Sequence, residues 1–337
     1  MRHEIRSSLA DESEYFDELD KDLGPAGSWG RLLALEGDRR WLFEYHTFSD
    51  DMDRPVAVVP VYRRRVKKWP NSFYTPHALN ADNNVPDTDE CLLVGGRDGV
   101  SSSLHVRSDA RSPEVYREIL YAIRASYPEK YRYLYFPCFP QAQLDLVSEA
   151  LPTKLLRAPI GQDARMDRLF GDWEKSLLSK QRSTLRRDIL DSGRLGVRTA
   201  VFSWSEAREQ AAPLIVDHHR RKEMVDHPDL VDFRIRQWEA QPGVRILVYK
   251  AWGPGVTGFL VAAVWKDWMD LLEIGLSPGG AEERRCVYAQ LIAHLPASTA
   301  KAMNLTKMRA GLSAKQAKSA RGAYFSEVES GLSLIPR

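Results

Sequence analysis

The sequence predicts an α/β chain, of the α+β kind, built as two tandem domains that each hold a mostly antiparallel mixed sheet flanked by helices. Three observations lead there. A chain of 337 residues, 43% of them apolar, can bury more than one core. Strand-like and helix-like periodicities follow one another in an order that recurs in the second half. Between the halves, at about 150–166, Pro152, Pro159 and Gly161 interrupt regular structure, which places the expected domains at 1–155 and 156–337.

In the first half, Trp41-Leu-Phe-Glu-Tyr-His46 and Val56-Ala-Val-Val-Pro-Val-Tyr62 are rich in β-branched and aromatic residues. The Asp-rich segment 49–53 joins them, so they read as a hairpin. Residues 113–126 open on Ser112-Pro113, repeat Val115, Ile119, Leu120 and Ile123 at helical spacing, and stop near Pro128. The run 131–139 is a strand, and 70–112 is expected to be irregular and to line a site.

The second half opens with a long helix over about 171–192, stopped by Gly193 and Gly196. A strand at 197–203 precedes a helix from Ser205 to about Lys222, which carries a capping pattern at Ser203 and a kink expected at Pro213. Strands at 244–250, 258–265 and 268–276, joined by tight turns, predict an antiparallel meander. A helix at 281–294, a strand at about 305–311, a helix at 313–321 and a strand at 323–334 finish the chain.

Net charge is +2, but it is unevenly spread. Residues 11–20 hold six acidic and no basic side chains, whereas 61–68 hold five basic and no acidic ones. Between 175 and 198, seven Lys or Arg face Asp188 and Asp191. Patches of this kind attract phosphate-bearing partners or simply solvate the surface. Cys91, Cys138 and Cys286 show no CxxC spacing, which argues against a disulfide framework or a zinc site and favours a reducing cytoplasm. No secretory signal and no apolar run of about 20 residues is present, so neither export nor a membrane span is expected.

Several motifs mislead. Gly253-Pro-Gly255-Val-Thr-Gly258 matches a dinucleotide fingerprint by letter. A strand rather than a helix follows it, however, and Pro254 removes an amide, so it reads as a hairpin turn. Cys286 reads as a small helix residue. His218 and His219 point about 100° apart on a helix and cannot share a metal from one face; they read, with Arg220 and Arg221, as a phosphate-facing or solvated helix end. Nucleophile-elbow, Walker and zinc-helix signatures are missing.

The basic helix is the informative element. Leu178, Leu185 and Ile189 fall on one stripe at a period of 3.6 and are expected to face the core. Lys175, Arg182 and Arg186 border that stripe and could overhang a cleft, where guanidinium forks suit phosphate oxygens. Lys180, Arg187 and Arg194 point outward.

The segment Leu178 to Asp188, Leu-Ser-Lys-Gln-Arg-Ser-Thr-Leu-Arg-Arg-Asp, resembles the basic helix that opens the acyltransferase domain of GNAT-fold proteins related to the Fem peptidoglycan-bridge transferases. Gly275-Leu-Ser-Pro278 with the helix after it, Met308-Arg309-Ala-Gly311, and Lys315-Gln-Ala-Lys318-Ser-Ala-Arg321-Gly-Ala323 are similar to later strands and helices of that family. Pro55-Val-Ala-Val-Val-Pro-Val-Tyr-Arg-Arg64 is similar to an early one. The likeness covers most of 40–325, and the order of the motifs carries it.

The resemblance implies two GNAT-like domains and an acyltransferase with no permanently bound cofactor. Fem-type members take an aminoacyl group from a charged tRNA, and ordinary GNAT enzymes take an acyl group from coenzyme A. The pyrophosphate loop of the latter falls near 279–290, where this chain has Gly279-Gly-Ala-Glu-Glu-Arg-Arg-Cys-Val-Tyr288. Glu282 and Glu283 oppose a pyrophosphate, while Gly279, Gly280, Arg284 and Arg285 leave a weaker phosphate site. Aminoacyl-tRNA is therefore the favoured donor and acyl-CoA the second.

The acceptor is a small-molecule or peptide amine or hydroxyl. Arg309, Lys315 and Lys318 join Arg220 and Arg221 as phosphate-binding candidates, and Tyr62, Trp69, Phe73, Tyr74 and Tyr288 as candidates for stacking on bases or acceptor. Transfer to an amine needs a base, for which Asp270 and Glu273 are the candidates. Their odd spacing along one strand sends them to opposite faces. A third reading, from another class, is a non-catalytic RNA- or phosphate-binding protein on the same fold.

Overall fold

The computed structural model describes residues 1–11, 16, 19, 27–65, 88–97, 102–170 and 173–334. The chain divides into two compact units, Met1–Gly161 with Ser326–Arg337, and Gln162–Phe325. Trp69, Phe73 and Tyr74 lie outside the described residues. Among those residues no helix is long and apolar enough to cross a membrane.

The first unit contains β1 (Arg2–Arg6), α1 (Trp29–Leu35), β2 (Trp41–Ser49), β3 (Pro55–Arg64), β4 (Cys91–Val94), α2 (Pro113–Ala125), β5 (Tyr133–Pro140) and α3 (Gln141–Ala150). Part of β6 (Leu155–Arg165) and most of β12 (Tyr324–Leu334) complete it. The strands run in the order β1-β2-β3-β4-β5-β12, with β4 and β5 parallel and the other described pairs antiparallel. The predicted hairpin is β2–β3. Helix α2 starts where its Ser-Pro signal places it, with the Ser112 hydroxyl accepting from the Val115 amide. Its Tyr116, Ile119, Leu120 and Ile123 pack on Val59, Val61, Leu134 and Phe136 of the sheet.

The second unit holds the rest of β6 and β12, with α4 (Trp173–Ser176), α5 (Ser179–Arg194), β7 (Arg198–Phe202), α6 (Trp204–Arg220), α7 (Pro228–Glu239), β8 (Val244–Gly253), β9 (Val256–Trp265) and β10 (Trp268–Leu276) between them. Then come α8 (Ala281–Ala289), a π-helical turn at Gln290–His294, α9 (Leu295–Ala302), β11 (Lys307–Gly311) and α10 (Lys315–Ser319). Strand order is β6-β11-β10-β9-β8-β7, with only β10–β11 parallel. The meander is therefore β8–β9–β10, and the Gly-Pro-Gly motif is its first turn, with Gly255 at φ +73. One sheet face, carrying Leu247, Leu260, Ala262, Met269 and Met308, packs on α8 and the π turn through Val287, Leu291 and Ile292. The other, carrying Val248, Phe259, Val261 and Ala263, packs on α6 and α7 through Trp204, Ile215, Val231 and Ile235.

Three expectations are corrected here. The helix predicted over 171–192 is broken at Leu177 and Leu178, where the Gln181 side chain accepts from the Leu178 amide and restarts the chain as α5. The stripe predicted through Leu178, Leu185 and Ile189 is not the buried one: Leu178 is 71% and Ile189 54% exposed. Helix α5 instead buries Leu185, Asp188 and Ser192, because Asp188 accepts from Arg285 and Arg321, each at 2.8 Å. Arg186 is then as outward as Arg187. Third, β6 runs through Pro159 and Gly161, where a break in regular structure is expected.

Helix α6 seats its backbone directly on β10. A Cβ added at Gly275 would lie 2.7 Å from the Ile215 amide nitrogen and 2.8 Å from the Leu214 carbonyl carbon. Backbone cannot rotate away as a side chain can. Gly275→Ala is therefore expected to cost about 2–3 kcal/mol, as overpacking of a filled interior does, read as a lower denaturation midpoint. An unchanged midpoint would show that α6 slides freely.

Candidate functional site

Strands β10 and β11 pair over three residues only, Trp268 with Lys307, Met269 with Met308 and Asp270 with Arg309. Beyond that point no register joins them, and the fork they form gathers the polar side chains of the second unit. Alternation along β11 and β6 places Arg309, Asp163 and Arg165 on the α6 face, opposite the apolar Met308, Ala310 and Ala164.

On β10 the alternation is interrupted. Its register against β9 shifts between Leu271 and Glu273, so that Asp270 opposes Ala263 and Glu273 opposes Val261. A bulge of one residue restores the parity that odd spacing would break. Asp270 and Glu273 consequently share the α6 face, contrary to the expectation that they oppose one another.

Asp270 is a buried link. Its carboxylate accepts from Trp268 Nε1 at 2.8 Å and lies 3.7 Å from Arg309, which in turn donates to Asp163 at 2.9 Å. Arg165 covers the Trp268 ring at 4.4 Å. Burial pushes the Asp270 carboxyl above its ordinary value, against the pull of Arg309 and Trp268.

Glu273 has a different environment. It is 16% exposed at the side chain, and its Oε1 accepts from Arg234 of α7 at 2.9 Å while Oε2 lies 3.4 Å from His219 Nε2 of α6. His219 Nδ1 sits 2.8 Å from Asp226, and Arg234 grips both Asp226 oxygens at 2.6 and 3.0 Å. Burial raises Asp226, but hydrogen bonds from His219 and Arg234 outweigh it and hold the carboxyl well below the usual range. His219 is thus enclosed between two carboxylates and is not a solvated helix end.

Cations line the fork. Lys318 is buried and donates to the Ala310 and Gly311 carbonyls, the second at 3.0 Å. Burial brings its ammonium down to about 8, with Asp163 opposing and Lys222 and Arg309 adding to the shift. Arg221 donates to the Leu276 carbonyl at the end of β10. Other predicted residues fall elsewhere. Arg220 is 73% exposed and paired with Asp217. Lys175, Arg186 and Lys315 are exposed, and Arg182 donates to the Leu177 carbonyl. Tyr288, on α8 itself, packs half-buried against the core of the second unit, its hydroxyl raised by burial to about 12. Tyr62 is a core residue of the first unit, enclosed with Trp41 and Leu93 beneath the Arg97 guanidinium at 5.4 Å.

The sequence reading missed Asp163, Arg165, Asp226 and Arg234. A signal for the last two existed: His227-Pro228 followed by Val231 and Ile235 at a spacing of four marks the start of α7, whose His227 ring accepts from the Asp229 amide.

The N-terminus of α8 follows β10 through Gly279 and Gly280. Glu282 pairs with Arg194, and the Glu283 carboxylate folds over Gly280 so closely that a Cβ there would collide with it. The positive end of this helix therefore already faces its own carboxylates.

No protein-family model and no curated protein sequence matches the chain. Among solved structures it is similar to a conserved protein of unknown function from Bacteroides thetaiotaomicron, with a TM-score of 0.59 and 9% identity over 99% of this chain and 100% of the other. It is similar also to FemX, with a TM-score of 0.60 and 10% identity over 98% and 97% of the two chains. The likeness to FemX shows a shared fold over nearly the whole of both chains.

Proposed function

We propose that the protein is an acyl-group transferase that moves an aminoacyl group from a charged tRNA to an amine or hydroxyl acceptor. The observation that carries this reading is the first turn of α8. Glu282 and Glu283 put two carboxylates in the first turn of α8, where by the family resemblance a pyrophosphate would need positive potential, which disfavours coenzyme A as donor. The Fem-like fold and the cations at the fork, Arg221, Lys222 and Lys318, support a donor that presents single phosphates and a terminal ester.

The chemistry asks little of the protein beyond placement. The acceptor nitrogen forms a bond to the aminoacyl carbon, the ester C–O bond breaks, and the tRNA hydroxyl leaves with a proton while the amine gives one up. Glu273, the more accessible of the two carboxylates, receives that proton; Asp270 fixes Arg309 and the start of the fork. Holding the two reactants close supplies much of the rate.

Incubation with mixed charged tRNAs, scored for which aminoacyl ester is consumed, is expected to show loss of one of them. Binding should weaken steeply with salt, as counterion release requires. Tight acetyl-CoA binding with no ester consumed would assign an acyl-CoA donor instead. Salt-dependent tRNA binding with neither reaction would leave a non-catalytic RNA-binding protein.

A further inference from the structure

The geometry points to a proton relay from Glu273 through His219 to the edge of Asp226, with Arg234 as the residue that positions both carboxylates. The inference rests on the reading of Glu273 as the group that meets the acceptor amine. The two contacts of the imidazole are unequal. Nδ1 lies at hydrogen-bond distance from Asp226, 2.8 Å, whereas Nε2 stands 3.4 Å from Glu273 and makes no hydrogen bond with it.

That inequality selects a tautomer. With Asp226 held ionised by Arg234 and by the His227 amide, the Nδ1 proton is donated to it, and Nε2 keeps a lone pair aimed at Glu273. Two lone-pair atoms do not bond, which accounts for the longer distance. Once Glu273 takes a proton from the acceptor, its O–H points at Nε2. The proton can then move to the ring, whose positive charge lies between Asp226 on one side and Glu273 on the other. No oxidant or cofactor is needed: as the ester C–O bond breaks, the proton returns from the ring through Glu273 to the departing tRNA oxygen, which leaves as the hydroxyl.

Among the described residues, the groups facing His219 are few. Asp226 comes from the α6–α7 connection, Arg234 from α7 and Glu273 from β10, while His218 precedes it on α6. Arg234 donates to both carboxylates through three bonds of 2.6 to 3.0 Å. It thereby sets the distance between them and holds each against the imidazole.

Histidine-selective nitrogen-15 NMR of the full chain at pH 8 tests the relay directly. The expected spectrum shows His219 protonated at Nδ1 with Nε2 bare, and Asp226→Asn removes that preference. A proton resident on Nε2 in the unaltered protein would make His219 a static donor to Glu273 and overturn the inference. In charged-tRNA turnover, His219→Gln is expected to lower the rate roughly 100-fold, within the range for a lost proton-transfer group, with tRNA affinity within about twofold. Asp226→Asn should shift the acidic limb of the pH profile, which a packing role would leave in place. Full activity in His219→Gln would also overturn the relay. Failure to consume any charged tRNA would overturn the donor assignment instead, leaving the tautomer result to decide the relay.

Discussion

Lowering the pH from 7 to 5 is expected to remove about 4 kcal/mol of stability from the first unit, because it buries two neutral imidazoles. His46 and His105 are 0 and 2% exposed. Burial pulls each down to about 3, with His3 adding to the shift at His46. The unfolded chain binds a proton at each near 6.5, whereas the folded unit binds none until about 3. Stability is therefore complete above 6.5 and declines as pH falls towards 3, at about 1.4 kcal/mol per pH unit per histidine once well below 6.5.

Burial alone keeps His105 neutral, and for His46 the surroundings add a second reason. His46 is held between His3, at 2.9 Å, and the Tyr127 hydroxyl, at 3.1 Å, and Tyr127 donates onward to Glu44. Its nitrogens are already engaged in a chain that needs them uncharged. Denaturant titrations at pH 7 and pH 5 read the effect. A difference under ~1 kcal/mol would show that the two rings reach water or find an acidic partner when charged.

Replacing Asp188 is the second large effect. Its side chain is fully buried and bridges Arg285 and Arg321 of the second unit, and Arg321 is itself only 5% exposed. Asp188→Ala leaves the Arg321 guanidinium inside the protein without its carboxylate, and the loss of one partner of a buried pair costs about 3–5 kcal/mol. For a unit of this size that corresponds to a fall in Tm of roughly 10 °C.

The comparison variant, Lys180→Ala with Arg187→Ala, removes two charges from the exposed side of the same helix. It should cost under about 0.5 kcal/mol, as surface substitutions do. Similar losses in the two proteins would mean that α5 is held by its charge as a whole and not by one carboxylate.

Several elements were legible from sequence because their signals are local. Ser112-Pro113 starts α2, and the Ser203–Glu206 capping box starts α6, where the Ser203 amide donates to Glu206 at 2.8 Å. The three alternating runs of the meander and the Gly-Pro-Gly turn needed only their own neighbours.

What the tertiary structure decided is of another kind. Whether Leu178 or Leu177 is buried depends on where the helix restarts, and Leu177 enters the core while Leu178 stays outside. Periodicity cannot see that the best-buried group of α5 is a carboxylate, because its two partners lie 97 and 133 residues away. The placement of Asp270 and Glu273 on one face turned on a single bulged residue in β10, set by pairing with β9 and invisible to an alternation count. His219, Asp226 and Arg234 meet Glu273 only because α6 and α7 fold onto the strand that carries it. Sequence by itself determined the segments and their order; long-range pairing determined which charges could be buried together, since a buried charge is tolerated only where a distant partner arrives to meet it.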